Sequence, residues 1–174
     1  VTSIGSSAFS NCSSLTSVKI PKKVTEIESW AFNGCSSLTE ATIPEGVTKI
    51  GSGSFIGCHK LSVLDIPKSV EKIESYAFSA CSSLKNITIP KGVTEIGANV
   101  FRACNGLESI KVEIGNSKYD SREECNGIIE TENNTLLSGC KNTVIPESVT
   151  NISEGAFYGC SDLAKLVIPS GVTD

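Results

Sequence analysis

Histidine and tryptophan each occur once in the 174 residues, and aromatics make up 6%. A nucleophilic serine or cysteine needs a base and a group that orients it. The one histidine, His59, sits in Cys58-His59-Lys60 where sister segments carry Ser13, Ser36 and Ser82, so it reads as a surface loop residue. No triad is found, and no enzyme is expected. Basic residues are also short, with 15 Lys and Arg against 19 Asp and Glu and a net charge of −4. That balance offers no field for a phosphate backbone, so nucleic acid is a poor partner. No apolar run approaches the roughly 18 residues that span a bilayer, and no membrane insertion is expected within the chain. Close cysteine pairs are missing: the shortest separation among the eight is 15 residues, whereas thiolate zinc sites use Cys-x-x-Cys. Glu26, Glu45, Glu71 and Glu95 fall at solvent-facing turn positions and form no evident catalytic pair. Neither a metal nor another cofactor is expected.

What is present is a repeat. Ile20-Pro21, Ile43-Pro44, Ile66-Pro67 and Ile89-Pro90 are 23 residues apart, and the same step separates Ile145-Pro146 from Ile168-Pro169. Cys12, Cys35, Cys58, Cys81 and Cys104 keep that step, and all six phenylalanines (Phe9, Phe32, Phe55, Phe78, Phe101, Phe157) stand three residues before a cysteine. A unit of this size cannot bury its own apolar face, so the period predicts a stacked solenoid. Residues 1–174 read as one elongated domain of about seven rungs. Both ends fall in mid-repeat without the polar caps that solenoids need, so the chain is expected to be a fragment and no targeting segment is read.

Within a unit, Leu15-Thr16-Ser17-Val18-Lys19-Ile20 predicts a short strand with Val18 and Ile20 inward, closed by Pro21, which lacks a ladder donor. Val24-Thr25-Glu26-Ile27 predicts a second short strand on another face of the coil. Ser29-Trp30-Ala31-Phe32-Asn33-Gly34-Cys35 places Ala, Phe and Cys at helical spacing behind a serine, which predicts one turn of α- or 3-10 helix. The rhythm breaks between Val112 and Ile145, where the interval is 33 residues in place of 23. Across this irregular repeat, residues 113–140, Tyr119 falls in the Ile27 column. Residues 126–131 and 135–137 then read as two strands around an Asn-rich turn, a β-hairpin in place of the helical turn. Cys140 falls in the Leu15 column and is expected in the core of the strand that follows.

The five in-register cysteines stack about 4.8 Å apart with parallel side-chain vectors, whereas disulfides prefer converging vectors with Cβ atoms about 3.8 Å apart. They are expected to be free, buried and inert. Cys125 stays open, since it lies before the hairpin within reach of Cys140. Trp30 and Tyr76 share one column; they read either as exposed aromatics of a binding surface or as partly packed on the helical turn. Four Asn-x-Ser/Thr matches, at Asn11, Asn86, Asn133 and Asn151, are what Ser/Thr-rich repeats generate by chance.

The pattern Leu-x-x-Ile-x-Ile-Pro-x-x-Val-Thr-x-Ile-x-x-x-Ala-Phe-x-x-Cys resembles the BspA-like leucine-rich repeats, mostly large cell-surface or secreted proteins of mouth and gut bacteria. The irregular stretch from Tyr119-Asp120-Ser121-Arg122 to Gly139-Cys140-Lys141-Asn142-Thr143 also resembles an interruption found in such proteins. The resemblance implies an α/β repeat fold, a right-handed leucine-rich-repeat solenoid of mostly short parallel strands, with a surface or secreted location. It also implies adhesion to host matrix proteins or to another cell surface. The expected function is therefore an interaction module presenting a sheet face to a protein or glycan, against the alternative of a spacer with no ligand. Lys111, Tyr119, Arg122, Lys141 and Asn142 around the insertion are the candidate contacts, with Trp30 and Tyr76 as a second patch. Two competing roles stand beside these: Tyr119 as a core residue by its column, and Arg122 as the partner of Asp120, Glu123 or Glu124.

Overall fold

The computed structural model describes residues 1–173. Two strands per repeat alternate along the chain. On one face β1 (Ser3–Ile4), β3 (Glu26–Ile27), β5 (Lys49–Ile50), β7 (Lys72–Ile73) and β9 (Glu95–Ile96) form a five-stranded parallel sheet. On another face lie β2 (Ser17–Lys19), β4 (Glu40–Thr42), β6 (Val63–Leu64), β8 (Asn86–Ile89) and β10 (Ser109–Val112), paired as β2-β4-β6 and β8-β10. The register is one repeat per rung, as in Ile27↔Ile50 and Ile87↔Ile110, so like stacks on like. Ile27, Ile50 and Ile73 are fully buried, as are Leu38, Leu61 and Leu84. This is a parallel-strand solenoid of about five turns.

The third side of the coil corrects the sequence reading. No helical turn forms at residues 29–35 or at the equivalent sites; the only helical element among the described residues is a 3-10 turn at Arg122–Glu124. The cause lies in where the amides point. Those of Ala31, Asn33 and Cys35 donate within the turn, to Glu28, Trp30 and Phe32 at 3.1–3.3 Å. The alternate amides of Trp30, Phe32 and Gly34 donate to Ser52, Ser54 and Ile56 of the next rung at 2.7–2.8 Å. A helix keeps every interior amide to itself; here half of them tie the rungs together. The alternation requires two left-handed residues per repeat, as at Trp30 (φ 62°) with Gly34 (69°), Tyr76 (59°) with Ala80 (60°), and Asn99 (57°) with Ala103 (58°). Each non-glycine there costs about 1 kcal/mol or more, offset by the bond its amide or its neighbour makes.

Phenylalanine rings fill the interior beneath this turn. Phe9, Phe32, Phe55, Phe78 and Phe101 stack with centroids 5.2, 5.2, 5.7 and 5.8 Å apart, within the range of favourable offset pairs. Each thiol of the cysteine column from Cys35 to Cys104 donates to the phenylalanine carbonyl one rung back, at 3.1–3.3 Å. All eight cysteines are free. Cys12, in the first described rung, departs from expectation by being exposed.

At the irregular repeat a four-stranded sheet replaces the regular pattern: β11 (Tyr119–Asp120), β12 (Gly127–Glu130), β13 (Thr135–Gly139) and β14 (Asn151–Ile152). The expected hairpin is β12–β13, antiparallel, with β13 handing over to β14 in parallel. Cys140 is buried, 1% exposed, but the segment after it forms no strand until β14. Gly139 takes a phenylalanine's place: its amide donates to Ala156 and its carbonyl accepts from the Cys160 thiol, as Phe55 does with Ala77 and Cys81. A Cβ there would lie 2.4 Å from the Phe157 ring, so glycine is needed for that ring to enter.

Candidate interaction surface

The irregular repeat starts by swapping a hydrophobe for an amide. Asn116 stands where the column carries Val24, Val47, Val70 and Val93. Its Nδ2 donates to the Pro90 and Val93 carbonyls at 3.1 and 2.8 Å, and its Oδ1 accepts from the amides of Lys118 and Tyr119, both at 2.9 Å. That anchor sets Tyr119 in the core, 5% exposed. The Tyr119 hydroxyl accepts from the Ile96 amide at 3.0 Å and so finishes the free edge of β9. Burial pushes its phenol pKa up. The structure therefore moves Tyr119 out of the contact set, because its ring is enclosed and its oxygen is committed.

Arg122 is held as well. Its Nε donates to both Asp120 carboxylate oxygens at 2.9 and 3.0 Å, Nη2 lies 2.9 Å from Asp120 Oδ2, and Nη1 reaches Asn134 Oδ1 at 2.9 Å and Ser148 at 3.3 Å. It braces the hairpin turn against the next rung. Lys141 pairs with Glu108 at 2.9 Å, which lowers the Glu108 pKa and raises that of Lys141. Asn142 is exposed, and its Nδ2 donates to the Glu108 carbonyl at 3.0 Å. Lys111 is exposed on β10.

Ser109, Ile110, Lys111 and Val112 of β10 line a cleft of about 520 Å³ together with Ile114, Ser121, Glu123, Glu124 and Asn126. Of the sequence candidates, the cleft brings in Lys111 alone; Lys141 and Asn142 lie beside Glu108, at the start of β10. Trp30 and Tyr76 sit elsewhere, on the turn side. Trp30 is 42% exposed with its ring over Gly53, and Tyr76 is half-buried. Sequence reasoning gave no role to Asn134 or to the Ser121 hydroxyl, and it offered Glu123 and Glu124 only as partners of Arg122, which pairs with Asp120 instead. For Asn116 a signal was present in the broken valine column.

A family model described as BspA type leucine rich repeat region matches residues 2–126 and 127–174, in 6 copies. The chain belongs to the BspA-type leucine-rich repeat family. Among solved structures, a leucine rich cell surface protein from Faecalibacterium prausnitzii is 33% identical over 99% of this chain and 53% of its own, with a TM-score of 0.76. A leucine-rich repeat protein from Bacteroides ovatus is 32% identical over 99% of this chain and 42% of its own, TM-score 0.73. The T. pallidum leucine rich repeat protein is 29% identical over 98% and 64%, TM-score 0.68. This BspA-type chain thus spans 42% to 64% of the length of these relatives. No curated protein matches it.

Proposed function

We propose that the chain is a non-enzymatic interaction module of a cell-surface or secreted protein, adhesin-like, presenting its strand face to a protein or glycan of a host matrix or another cell. The observation that carries the reading is the cleft of about 520 Å³ where β10 meets residues 121–126. Insertions in repeat proteins tend to sit on the recognition face, and loops on a rigid scaffold are common places for function. Lys111 and Asn142 supply polar contacts, and Val144, 71% exposed, an apolar one. The surface location is carried over from the F. prausnitzii relative, which is described as a cell surface protein.

The spacer reading has support of its own. Along the regular rungs Lys49 and Lys72 are taken up by Glu26, Glu28, Glu74 and Glu95 at 2.7–3.7 Å, which leaves a face of matched charges. The test replaces residues 115–139 with a regular segment matched to residues 27–38, checks folding by circular dichroism, and measures adhesion to matrix proteins or cells. Loss of adhesion supports the reading. Unchanged adhesion removes the insertion from the mechanism, and no adhesion by the parent favours the spacer.

A further inference from the structure

We infer that the turn side of the coil binds a neutral β-1,4-linked hexose chain, laid along the stack over Trp30 and Tyr76. This is a second site, apart from the cleft of the irregular repeat, and it does not depend on that cleft.

Two large aromatic side chains stand where the backbone least favours them. The first left-handed position of the turn is held by Ser7, Gly53, Asn99 and Gly155 in sister rungs, at φ of 57–73°. Glycine takes this conformation freely and asparagine more readily than most. Trp30 (φ 62°) and Tyr76 (59°) are strained there, and strain of this kind gathers at functional sites. Neither ring belongs to the buried core, and Trp30 is 42% exposed. The Trp30 ring lies flat on the next rung. A Cβ on Gly53 would stand over its face, 3.0 Å from Cε3 and Cζ3 and 3.3 Å from Cδ2, so the inner face rests on Gly53 and the outer face meets water. Tyr76 also reaches one rung forward, where its hydroxyl accepts from Asn99 Nδ2 at 3.5 Å. The two rings therefore follow one another along the stack.

Spacing and charge name the ligand. Two rungs advance about 10 Å, which is also the advance of two rings along an extended β-1,4-linked hexose chain. Alternate rings of such a chain turn the same C–H-rich face to one side, and those faces meet the electron-rich faces of the aromatic rings. One sugar then sits on Trp30, the next but one on Tyr76. Beside Tyr76 a pocket of about 230 Å³ is lined by Ser52, Lys72, Glu74, Ser75, Glu95 and Gly97. Lys72 Nζ lies 3.7 Å from Glu74 and 2.8 Å from Glu95, and Glu74 Oε2 accepts from the Ser52 amide at 2.9 Å. Carboxylates fixed in this way keep lone pairs for sugar hydroxyls. On the adjoining sheet face Glu26, Glu28, Glu74 and Glu95 surround only Lys49 and Lys72. That balance disfavours an anionic chain and admits a neutral one.

The probe is cellohexaose, titrated against the 174-residue chain and read on the fluorescence of Trp30, its one tryptophan. A saturable change is expected. Cellobiose, too short to reach both rings, should bind at least tenfold more weakly, and maltohexaose, whose α-1,4 links curve the chain, should not saturate the signal. Tyr76→Asn introduces the residue type of position 99 and should weaken binding at least tenfold; Trp30→Asn, read by calorimetry, should do the same, both with the parent's circular dichroism. No saturable change with cellohexaose, equal affinity for maltohexaose, or unchanged affinity in Tyr76→Asn overturns the inference. The replacement of residues 115–139 described above separates the two sites. It should bind cellohexaose as the parent does whether or not adhesion is lost, and loss of cellohexaose binding there overturns the placement on Trp30 and Tyr76.

Discussion

In the regular stack, rungs are joined by backbone to backbone; in the irregular repeat, side chains take over that work. From Ile4 to Ile110 the carbonyl of one rung accepts from the amide of the next through Thr25, Thr48, Glu71 and their equivalents; side chains such as Thr39, Thr48, Cys58 and Cys81 add to these backbone joints, and the apolar ones fill the interior. From Asn116 to Thr143 the joints pass through Asn116, Tyr119, Ser121, Arg122 and Thr143, and a second, smaller core gathers Cys125, Ile129, Leu136, Ile145 and Val149. The difference teaches that regularity here is a hydrogen-bonding property first. Where the backbone register is lost, each orphaned amide needs a specific polar side chain, and such positions tolerate substitution poorly.

The strongest way to probe the regular side of this comparison is Phe55→Ala. Its ring is fully buried between Phe32 and Phe78, so a loss of about 3–5 kcal/mol is expected. Phe9, 41% exposed with a neighbour on one side only, should lose clearly less on the same change. Equal losses in thermal melts would break the nearest-neighbour picture.

Alkali tests the same stack through its thiols. Burial raises the Cys58 pKa from 9.0 to about 12. The unfolded thiol therefore ionises first as pH rises past 9, and the folded chain loses stability between 9 and 12, by about 4 kcal/mol for this group at the upper end. Cys104, also raised to about 12, acts in the same direction. A melting temperature that stays level from pH 9 to 11 would contradict the buried ladder, as would rapid alkylation of Cys58 in the native state.

On the irregular side the matching change is Tyr119→Phe, which removes one oxygen and leaves the Ile96 amide without an acceptor. A cost of about 1–3 kcal/mol is expected, with faster hydrogen exchange at Ile96. If exchange there does not change, the hydroxyl is not what finishes the β9 edge.

The smallest effect has the opposite sign. Ser54 is fully buried in a column that holds Ala31 and Ala77, and among the described residues its hydroxyl has no hydrogen-bond partner. Ser54→Ala should stabilise by about 1 kcal/mol, and a denaturant midpoint that falls would show that the hydroxyl is satisfied after all.

The same contrast explains what could be read from the sequence. Columns of Ile, Leu, Phe and Cys announce burial through spacing alone, so the solenoid, both strand positions, the hairpin and the core position of Tyr119 were legible. The turn was not. Ala31, Phe32 and Cys35 have helical spacing, but the inter-rung bonds that force Trp30 and Gly34 into left-handed backbone arise only once a neighbour is in place. Around the cleft, nothing local in the sequence says that Lys141 reaches Glu108, 33 residues away, or that Glu123 and Glu124 line a cleft with β10. Those relations depend on how the insertion folds back.

The direct contact between the turn at residues 99–103 and that at 155–159 also sets an order in time. A regular joint such as Ala80 to Arg102 closes 22 residues of chain, whereas Ala103 to Tyr158 closes 55. Loop entropy alone adds about 0.8 kcal/mol to the longer closure, and that joint must also await the hairpin between its ends. Growth by nearest-neighbour addition therefore runs freely through the first rungs and pauses at Ala103. Trp30 fluorescence should report the early zippering and amide protection at Ala103 the late docking; simultaneous appearance of both signals would mean that the chain folds as one cooperative unit.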